Sequence, residues 1–387
     1  MIHIVTVIGA RPQFIKAAAI SNVIINKFSD KIKETIVHTG QHYDANMSEV
    51  FFSQMSIPPE KYNLKIGSAT HGIQTAKIII EFEKILIKEK PDAVLVYGDT
   101  NSTLSGAIAA SKLEIPIIHI EAGLRSFTKK VPEEINRVVC DHLSTLLFTP
   151  SDQGLANLKN EGIAGRSLES GPISVDNPAV YRCGDVMYDI SVFYQKIAKE
   201  QSNILVQYSI KETGFILATI HRQDNTNDID KLLNILKSIN SIVVKYNEKV
   251  VFPIHPRTRQ ILNSYFSNSD WVTTEFDKDF LIIDPVSYID MVKLESASKL
   301  VITDSGGVQK EAYFYNKPCI ILQNETPWVE LLENGSSFIV GSDPKKIINA
   351  YNSIIKCYDD FKYPLLYGDG NSSEFIVDLI IRDIEEL

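Results

Sequence analysis

The chain alternates two kinds of segment: short runs of consecutive apolar, β-branched residues, and longer stretches with apolar residues three and four apart. The runs Ile2–Ile8, Thr35–His38, Ala93–Tyr97, Ile115–Ile120 and Ser144–Thr149 read as strands buried on both faces, as in a parallel sheet. Helices are expected from the Gly9-Ala10-Arg11-Pro12 turn to about Lys27, over Asn46–Met55, Gln74–Lys88 and Ser102–Lys112, from Pro132 onward, and over Ser151–Asn160. Strand and helix in alternation imply a doubly wound parallel sheet. The rhythm breaks over 162–178, where Gly, Pro, Ser and Asn dominate and a loop or insertion is expected. Val180–Cys183 then returns to strand-like residues.

The second half repeats the pattern. Strands are expected at Phe215–Ile220, Lys249–Ile254, Phe280–Ile283, Leu300–Thr303 and Cys319–Leu322, with helices over Ile229–Tyr246 and Tyr288–Ser298 and from Val308. The tail Ser372–Glu386 reads as a helix. The expectation is an α/β protein of two doubly wound, Rossmann-like domains, 1–186 and 187–370, facing a central cleft. The helix within 371–387 is expected to pack back on the first domain.

Composition narrows the function. A chain of 387 residues is too long for one core and suits two domains. Apolar content of 44% and charged content of 22% are ordinary for a soluble protein. A net charge of −9 argues against nucleic acid or an anionic membrane as the main partner, while leaving room for a local basic pocket. Cys140, Cys183, Cys319 and Cys357 are scattered without metal-ligand spacing, as expected of reduced thiols in a cytoplasmic protein. Met1 leads directly into a strand, so no signal peptide is expected, and no apolar run reaches membrane-spanning length. The histidines also lack ligand spacing, so no metal site is expected.

The candidate chemistry sits where strands end, the ligand edge of open α/β sheets. Asp99 follows one strand and Glu121 another; Glu133 follows Pro132 at a helix start, and Arg137 lies four residues on, on the same helix face. Carboxylates held close have pKa values pushed apart, which supplies an acid and a base at one pH. Each residue alone also fits a plain role: Asp99 as a helix cap, Glu121 as a loop acid, Glu133 and Arg137 as a surface pair. Their joint placement beside Gly98 and Gly123 favours function. Arg11 and Lys16 flank a glycine turn at a helix N-terminus, an anion site. In the second half, Ser305, Gly306 and Gly307 open a helix with free amides suited to a diphosphate, and Glu311 is placed for two vicinal sugar hydroxyls. His221, beside Arg222, is a cation or proton donor for a leaving diphosphate. His255, Arg257 and Arg259 form a further basic group.

The runs Gly9-Ala10-Arg11-Pro12 to Lys16, Gly98-Asp99-Thr100, Glu121-Ala122-Gly123-Leu124-Arg125, Pro132-Glu133-Glu134-Ile135-Asn136-Arg137, His221-Arg222 and Asp304-Ser305-Gly306-Gly307-Val308-Gln309-Lys310-Glu311 together resemble the non-hydrolysing UDP-N-acetylglucosamine 2-epimerases, in order, over nearly the whole chain. The resemblance implies a GT-B architecture and interconversion of UDP-N-acetylglucosamine and UDP-N-acetylmannosamine, by elimination of UDP to a 2-acetamidoglucal and its re-addition. It implies that Asp99, Glu121 and Glu133 are the acid and base candidates. Arg11, Lys16, Arg137 and His221 would bind or stabilise the leaving diphosphate, Ser305, Gly306 and Gly307 would hold phosphate, and Glu311 the ribose. UDP stays in the site as an intermediate, so no separate cofactor is implied. Gln41 and His255 match an activator site of some relatives, and a homodimer is expected. The run Ser126-Phe127-Thr128-Lys129-Lys130 and Asp185, with His221-Arg222-Gln223-Asp224-Asn225, also resemble the branch acting on UDP-2,3-diacetamido-2,3-dideoxyglucuronate, for which Lys129, Lys130 or Arg257 would supply a cation near C6. A GT-B glycosyltransferase, a non-catalytic sugar-nucleotide sensor and a hydrolysing epimerase are the competing readings; three clustered carboxylates exceed what simple transfer needs.

Overall fold

The computed structural model describes residues 1–41, 58–165, 171–266 and 270–387. The chain divides into two compact units, Met1–Ile190 with Leu365–Leu387, and Ser191–Pro364. Among the described residues no helix is long and apolar enough to cross a membrane.

In the first unit, β1 (Ile2–Ile8), β2 (Ile32–His38), β3 (Tyr62–Asn63), β4 (Ala93–Tyr97), β5 (Ile117–Ile120), β6 (Leu146–Thr149) and β7 (Ala179–Arg182) form one parallel sheet. Their order is β3-β2-β1-β4-β5-β6-β7. The chain runs outward from β1 to β3, then returns to the other side of β1 with β4. The β1–β4 junction is therefore the switch point, where strand ends part and leave room for a ligand. β4 is fully buried along its length, as a parallel strand covered on both faces must be.

The second unit repeats the plan with β8 (Ile216–Thr219), β9 (Val250–Pro253), β10 (Phe280–Ile283), β11 (Leu300–Thr303), β12 (Cys319–Ile321) and β13 (Ser337–Ile339), in the order β10-β9-β8-β11-β12-β13. Its switch point lies between β8 and β11, which pair in parallel from Leu300–Ile216 to Thr303–Thr219. Alternate residues of the same strands feed two cores. Ile216 and Ala218 pack under the helix Ile229–Tyr246 through Leu232, Leu236, Ile239 and Val243. Leu217, Val251 and Val301 pack on the opposite face with Leu294 and Ala312. Each such aliphatic side chain, buried fully, contributes about 1.5–3 kcal/mol before chain entropy is counted. The helix Ile229–Tyr246 starts where Asp228 accepts from the amides of Asp230 and Lys231, and stops at Asn247 in the left-handed region.

The differences from the sequence reading have physical causes. β5 starts at Ile117 because Pro116 has no N–H to extend the ladder. The helix expected from Val308 starts two residues earlier, with Gly306 and Gly307 in its first turn and Ser305 as cap. The short strands β3 and β13 carry too few residues for a periodic signal, and the helix Pro256–Tyr265 is polar; the helix Pro344–Lys356, with Ile347, Ala350, Tyr351 and Ile354 buried on one face, carries a helical period that the sequence reading passed over. The expected helix Asn46–Met55 lies outside the described residues, as do residues 166–170 of the glycine-rich stretch. The sequence reading put the domain change at 186/187; the compact units change after Ile190, inside the helix Val186–Gln201. The helix Ser372–Ile384 belongs to the first unit. Asp189 accepts from the amides of Ser372 (3.2 Å) and Ser373 (2.6 Å) at its start, Tyr181 donates to Asp383 near its end at 2.7 Å, and Lys27 pairs with Glu374.

Candidate active site

At the first switch point β1 runs into Gly9, and the helix Arg11–Lys27 begins two residues later. Only glycine fits at position 9: a Cβ there would lie 2.0 Å from Thr39 Oγ1 and 2.2 Å from Ser102 Oγ. Gln13, fully buried, fastens the turn. Its Oε1 accepts from the amides of Gly9 (2.9 Å) and Ala10 (3.1 Å), while its Nε2 donates to the Tyr97 carbonyl at 3.0 Å. The ends of β1 and β4 are thus tied by one side chain. Arg11 occupies the first helical turn; its side chain is outside what the structure describes. Lys16, one turn further and buried, forms an ion pair with Glu121, which follows β5. Gln41, beyond β2, accepts from the Ser102 amide (3.1 Å) and hydroxyl (2.7 Å).

The β4–β5 edge carries the carboxylates. Gly98 has φ +61, so the chain turns in the left-handed region and sets Asp99 at the mouth of the sheet. Glu121 itself sits at φ +73, a conformation that costs a non-glycine residue about 1–2 kcal/mol and clusters at functional sites. The Arg137 guanidinium donates to Asp99 Oδ2 at 2.5 Å and to Glu134 Oε2 at 3.0 Å. Two cation–carboxylate pairs, Lys16 with Glu121 and Arg137 with Asp99, therefore flank the Gly98 turn.

Glu133 differs from expectation. The sequence reading paired it with Arg137 at a four-residue spacing, but Glu133 is exposed and it is Glu134, three residues before Arg137, that meets the guanidinium. Glu134 turns inward because it also accepts from the Ser126 and Phe127 amides, at 2.9 and 2.8 Å, closing the loop after β5. Burial opposes its charge, but those two amides and Arg137 hold its carboxyl below the usual carboxylate range. The structure brings Lys16, Asp99, Glu121 and Arg137 together and leaves Glu133 on the outside of its helix. Sequence reasoning gave Gln13, Glu134, Asn136 and His119 no role. Asn136 donates to the Asp99 carbonyl at 2.8 Å. The side-chain amides Gln13 and Asn136, each inside a charged run, were the available signal.

In the second unit, Asp304 is wholly buried just past β11. It accepts from the amides of His221 (3.0 Å) and Arg222 (3.0 Å) and from Asn225 Nδ2 (3.1 Å). One carboxylate thereby shapes the loop after β8. His221 is exposed, with its Nδ1 3.6 Å from Asp304 Oδ1 and its ring 5.8 Å from that of His255. His255 caps the helix Pro256–Tyr265 by accepting from the Arg257 amide. Across the switch point the helix Gly306–Phe314 begins at Ser305, whose hydroxyl accepts from the Val308 amide. No side chain crowds its first turn: the nearest approach to a Cβ at Gly306 would be Arg222 Nη2, at 3.5 Å. Glu311 is buried one turn in, near Gly307. Helix amides and Arg222 gather positive character at one strand edge, with the His221 ring beside them. Arg257 instead bonds Asn227 at 2.5 Å, and Lys129 and Lys130 are exposed.

Two doubly wound units, each with charged groups at its switch point, make an α/β protein with a polar ligand edge on each sheet. A family model described as UDP-N-acetylglucosamine 2-epimerase matches residues 26–381. A UDP-N-acetylglucosamine 2-epimerase homolog of Methanococcus maripaludis is 46% identical over 97% of this chain and 99% of its own length. The UDP-2,3-diacetamido-2,3-dideoxy-D-glucuronate 2-epimerase of Pseudomonas aeruginosa is 44% identical over 98% and 99%. The crystal structure of the Methanocaldococcus jannaschii UDP-GlcNAc 2-epimerase, in complex with UDP-GlcNAc and UDP, superposes with a TM-score of 0.82 at 38% identity, covering 98% of this chain and 99% of that one. The chain belongs to the UDP-N-acetylglucosamine 2-epimerase family. It is an enzyme of the sugar-nucleotide epimerase class, with the paired Rossmann-like domains of the GT-B fold.

Proposed function

We propose that the protein interconverts UDP-N-acetylglucosamine and UDP-N-acetylmannosamine by elimination and re-addition of UDP. A carboxylate of the first unit removes the C2 proton. The C2–H electron pair becomes the C1=C2 double bond of the glucal, and the C1–O bond breaks with its pair leaving on UDP. Re-addition of UDP at C1 with protonation of C2 on the opposite face completes inversion. The observation that carries this reading is the pair of cation-held acids flanking the Gly98 turn, Asp99 with Arg137 and Glu121 with Lys16. Removing a weakly acidic C2 proton needs a base whose position is fixed before substrate arrives.

In this reading Asp99, Glu121 and Glu133 share the proton transfers, and Arg11, Lys16, Arg137 and His221 stabilise charge on the departing diphosphate. Ser305, Gly306 and Gly307 hold phosphate through helix amides, and Glu311 accepts from the ribose hydroxyls. No metal or separate cofactor takes part: UDP is both leaving group and returning nucleophile. Gln41 and His255 are candidate contacts for a second, activating UDP-sugar. The enzyme works as a cytoplasmic homodimer.

The 44% identity to the Pseudomonas protein supports a second substrate, UDP-2,3-diacetamido-2,3-dideoxyglucuronate, through the same steps. Incubating the protein with each UDP-sugar in deuterated water tests both readings. The expected result is deuterium at C2 of one of them. No incorporation into either rejects the epimerase.

A further inference from the structure

His119 lies in β5, wholly buried, two residues before Glu121. Its Nδ1 is 2.7 Å from Asp141 Oδ1, and its Nε2 is 2.9 Å from the Gly98 carbonyl. A carbonyl only accepts, and a carboxylate tied to a guanidinium is ionised and also only accepts. Asp141 is so tied: its Oδ2 is 2.7 Å from Arg125 Nη1 and 3.1 Å from the Gly123 amide. Both ring nitrogens of His119 therefore face acceptors, which a neutral imidazole, with one donor, cannot satisfy.

Arg125 reaches on to the partly exposed Glu161 with two bonds of 2.7 Å, so its charge is shared between two carboxylates. A His119 cation, wholly buried, meets its counter-charge in the equally buried Asp141. The titratable groups facing the ring are Asp141 and Cys140 of the helix Pro132–Leu143, with Arg125 on the far side of Asp141. Glu161 also has the exposed His142 at 3.6 Å. Burial opposes the His119 charge, but Cys140 and Asp141 carry its pKa well above the usual imidazole value.

The network reaches each loop that carries an acid. Through Gly98 it touches the Asp99 turn, whose next carbonyl, that of Asp99 itself, is held by Asn136. Through Gly123 it touches the loop that starts at Glu121. Through Asp141 it is anchored in the helix that carries Glu133 and Arg137. We propose that His119 is a positioning residue, a doubly donating imidazolium that locks the Asp99 turn to the Glu121 loop and so sets the spacing of the acids. It touches no substrate; it acts through Gly98 and Asp141. The catalytic consequence rests on the epimerase reading above, whereas the state of the ring does not.

Two measurements test this. In wild-type protein carrying ¹⁵N-histidine, with the His119 signals identified from a His119→Gln sample or from selective decoupling to Gly98, both ring nitrogens should be protonated at about pH 8, where free imidazole is neutral. A single protonated nitrogen overturns the proposal, whether or not any variant folds. In His119→Gln, kcat per folded molecule should fall about 100-fold, the loss expected for a misplacement near 1 Å. KM and UDP affinity should change little, and the isotope effect with C2-deuterated substrate should rise as proton transfer becomes slower. A merely structural histidine would lower thermal stability while leaving kcat and the isotope effect of the folded fraction unchanged, and that result overturns the proposal. If the wild type turns over neither UDP-sugar, the epimerase reading fails and the ring measurement alone decides the lock.

Discussion

Arg137 Nη2 lies 2.5 Å from Asp99 Oδ2, and its Nη1 lies 3.0 Å from Glu134 Oε2. One guanidinium therefore joins a site acid to a loop-closing acid. Replacing it with methionine leaves both carboxylates without a cation, so Arg137→Met should lower stability by about 3 kcal/mol and kcat by at least about 100-fold. Arg137→Lys should fall between, because an ammonium cannot bond both acids in a fixed fork. Urea midpoints and initial rates measured on the same preparations check both. A methionine variant with wild-type rate would remove Arg137 from the mechanism.

The neighbouring glutamates separate cleanly. Glu133 is exposed, so Glu133→Gln should change stability by no more than about 0.5 kcal/mol. In its proposed proton-transfer role, its loss should abolish turnover while UDP affinity survives. Glu134 accepts two backbone amides and Arg137, so Glu134→Gln, which weakens charge-assisted bonds, should cost about 2 kcal/mol and loosen the loop. Isothermal titration with UDP, alongside denaturant midpoints, distinguishes the two. Equal stability losses would contradict the assignment.

These two residues also show what could be read from sequence. Strand runs ending in Asp99, Glu121, His221 and Asp304 put the site at the switch edge of each sheet, because a doubly buried strand must exhaust its apolar run before a functional side chain can surface. The choice between Glu133 and Glu134 could not be read: both follow Pro132 on one helix, and which points inward depends on amides from the Ser126–Phe127 loop. Asp304 reads in sequence only as the end of a strand run, yet it is a buried anchor whose partners lie some 80 residues away in sequence, as the 83 positions to His221 show. His119 lacks metal-ligand spacing and so carried no signal; only the fold sets it between Gly98 and Asp141.

Gly98 marks where backbone and chemistry meet. A Cβ there would lie 3.0 Å from Glu121 Oε2 and 3.2 Å from Lys16 Nζ, at a φ of +61. Gly98→Ala should cost about 1–2 kcal/mol from the left-handed backbone alone, and at least tenfold in kcat as the Lys16–Glu121 pair is pushed aside. KM should change less than kcat, since the helix amides assigned to phosphate and the Glu311 assigned to the ribose belong to the other unit. Steady-state kinetics with the chosen UDP-sugar measure the split.

Asp304 offers the matching test in the second unit. It is fully buried and accepts from His221, Arg222 and Asn225. Asp304→Ala strands two backbone amides and a side-chain amide, each costing about 1–3 kcal/mol, and should release the His221–Arg222 loop. UDP affinity should then drop at least tenfold, even at temperatures where the variant remains folded. Asp304→Asn keeps one acceptor and should retain part of both. Calorimetric UDP titration is the measurement; unchanged affinity in the alanine variant would detach His221 and Arg222 from the nucleotide.

The buried His119–Asp141 pair gives stability a pH signature with two limbs. The folded His119 pKa is raised above its unfolded value of about 6.5, so its contribution is fully present below that pH and fades as pH climbs toward the raised folded value. Asp141 behaves oppositely. Burial pushes its carboxyl up, but His119 and Arg125 outweigh that and hold it below the usual value of 3.8, so its contribution is present above about pH 4 and is lost as pH falls through the lowered folded value. Stability of the first unit should therefore decline on the alkaline side from about pH 6.5 upward, with a slope that His119→Gln flattens. Thermal unfolding of wild type and variant at intervals from about pH 4 to pH 9 follows the difference between them. A wild-type alkaline slope no steeper than that of the glutamine variant would mean the ring is not charged in the folded protein.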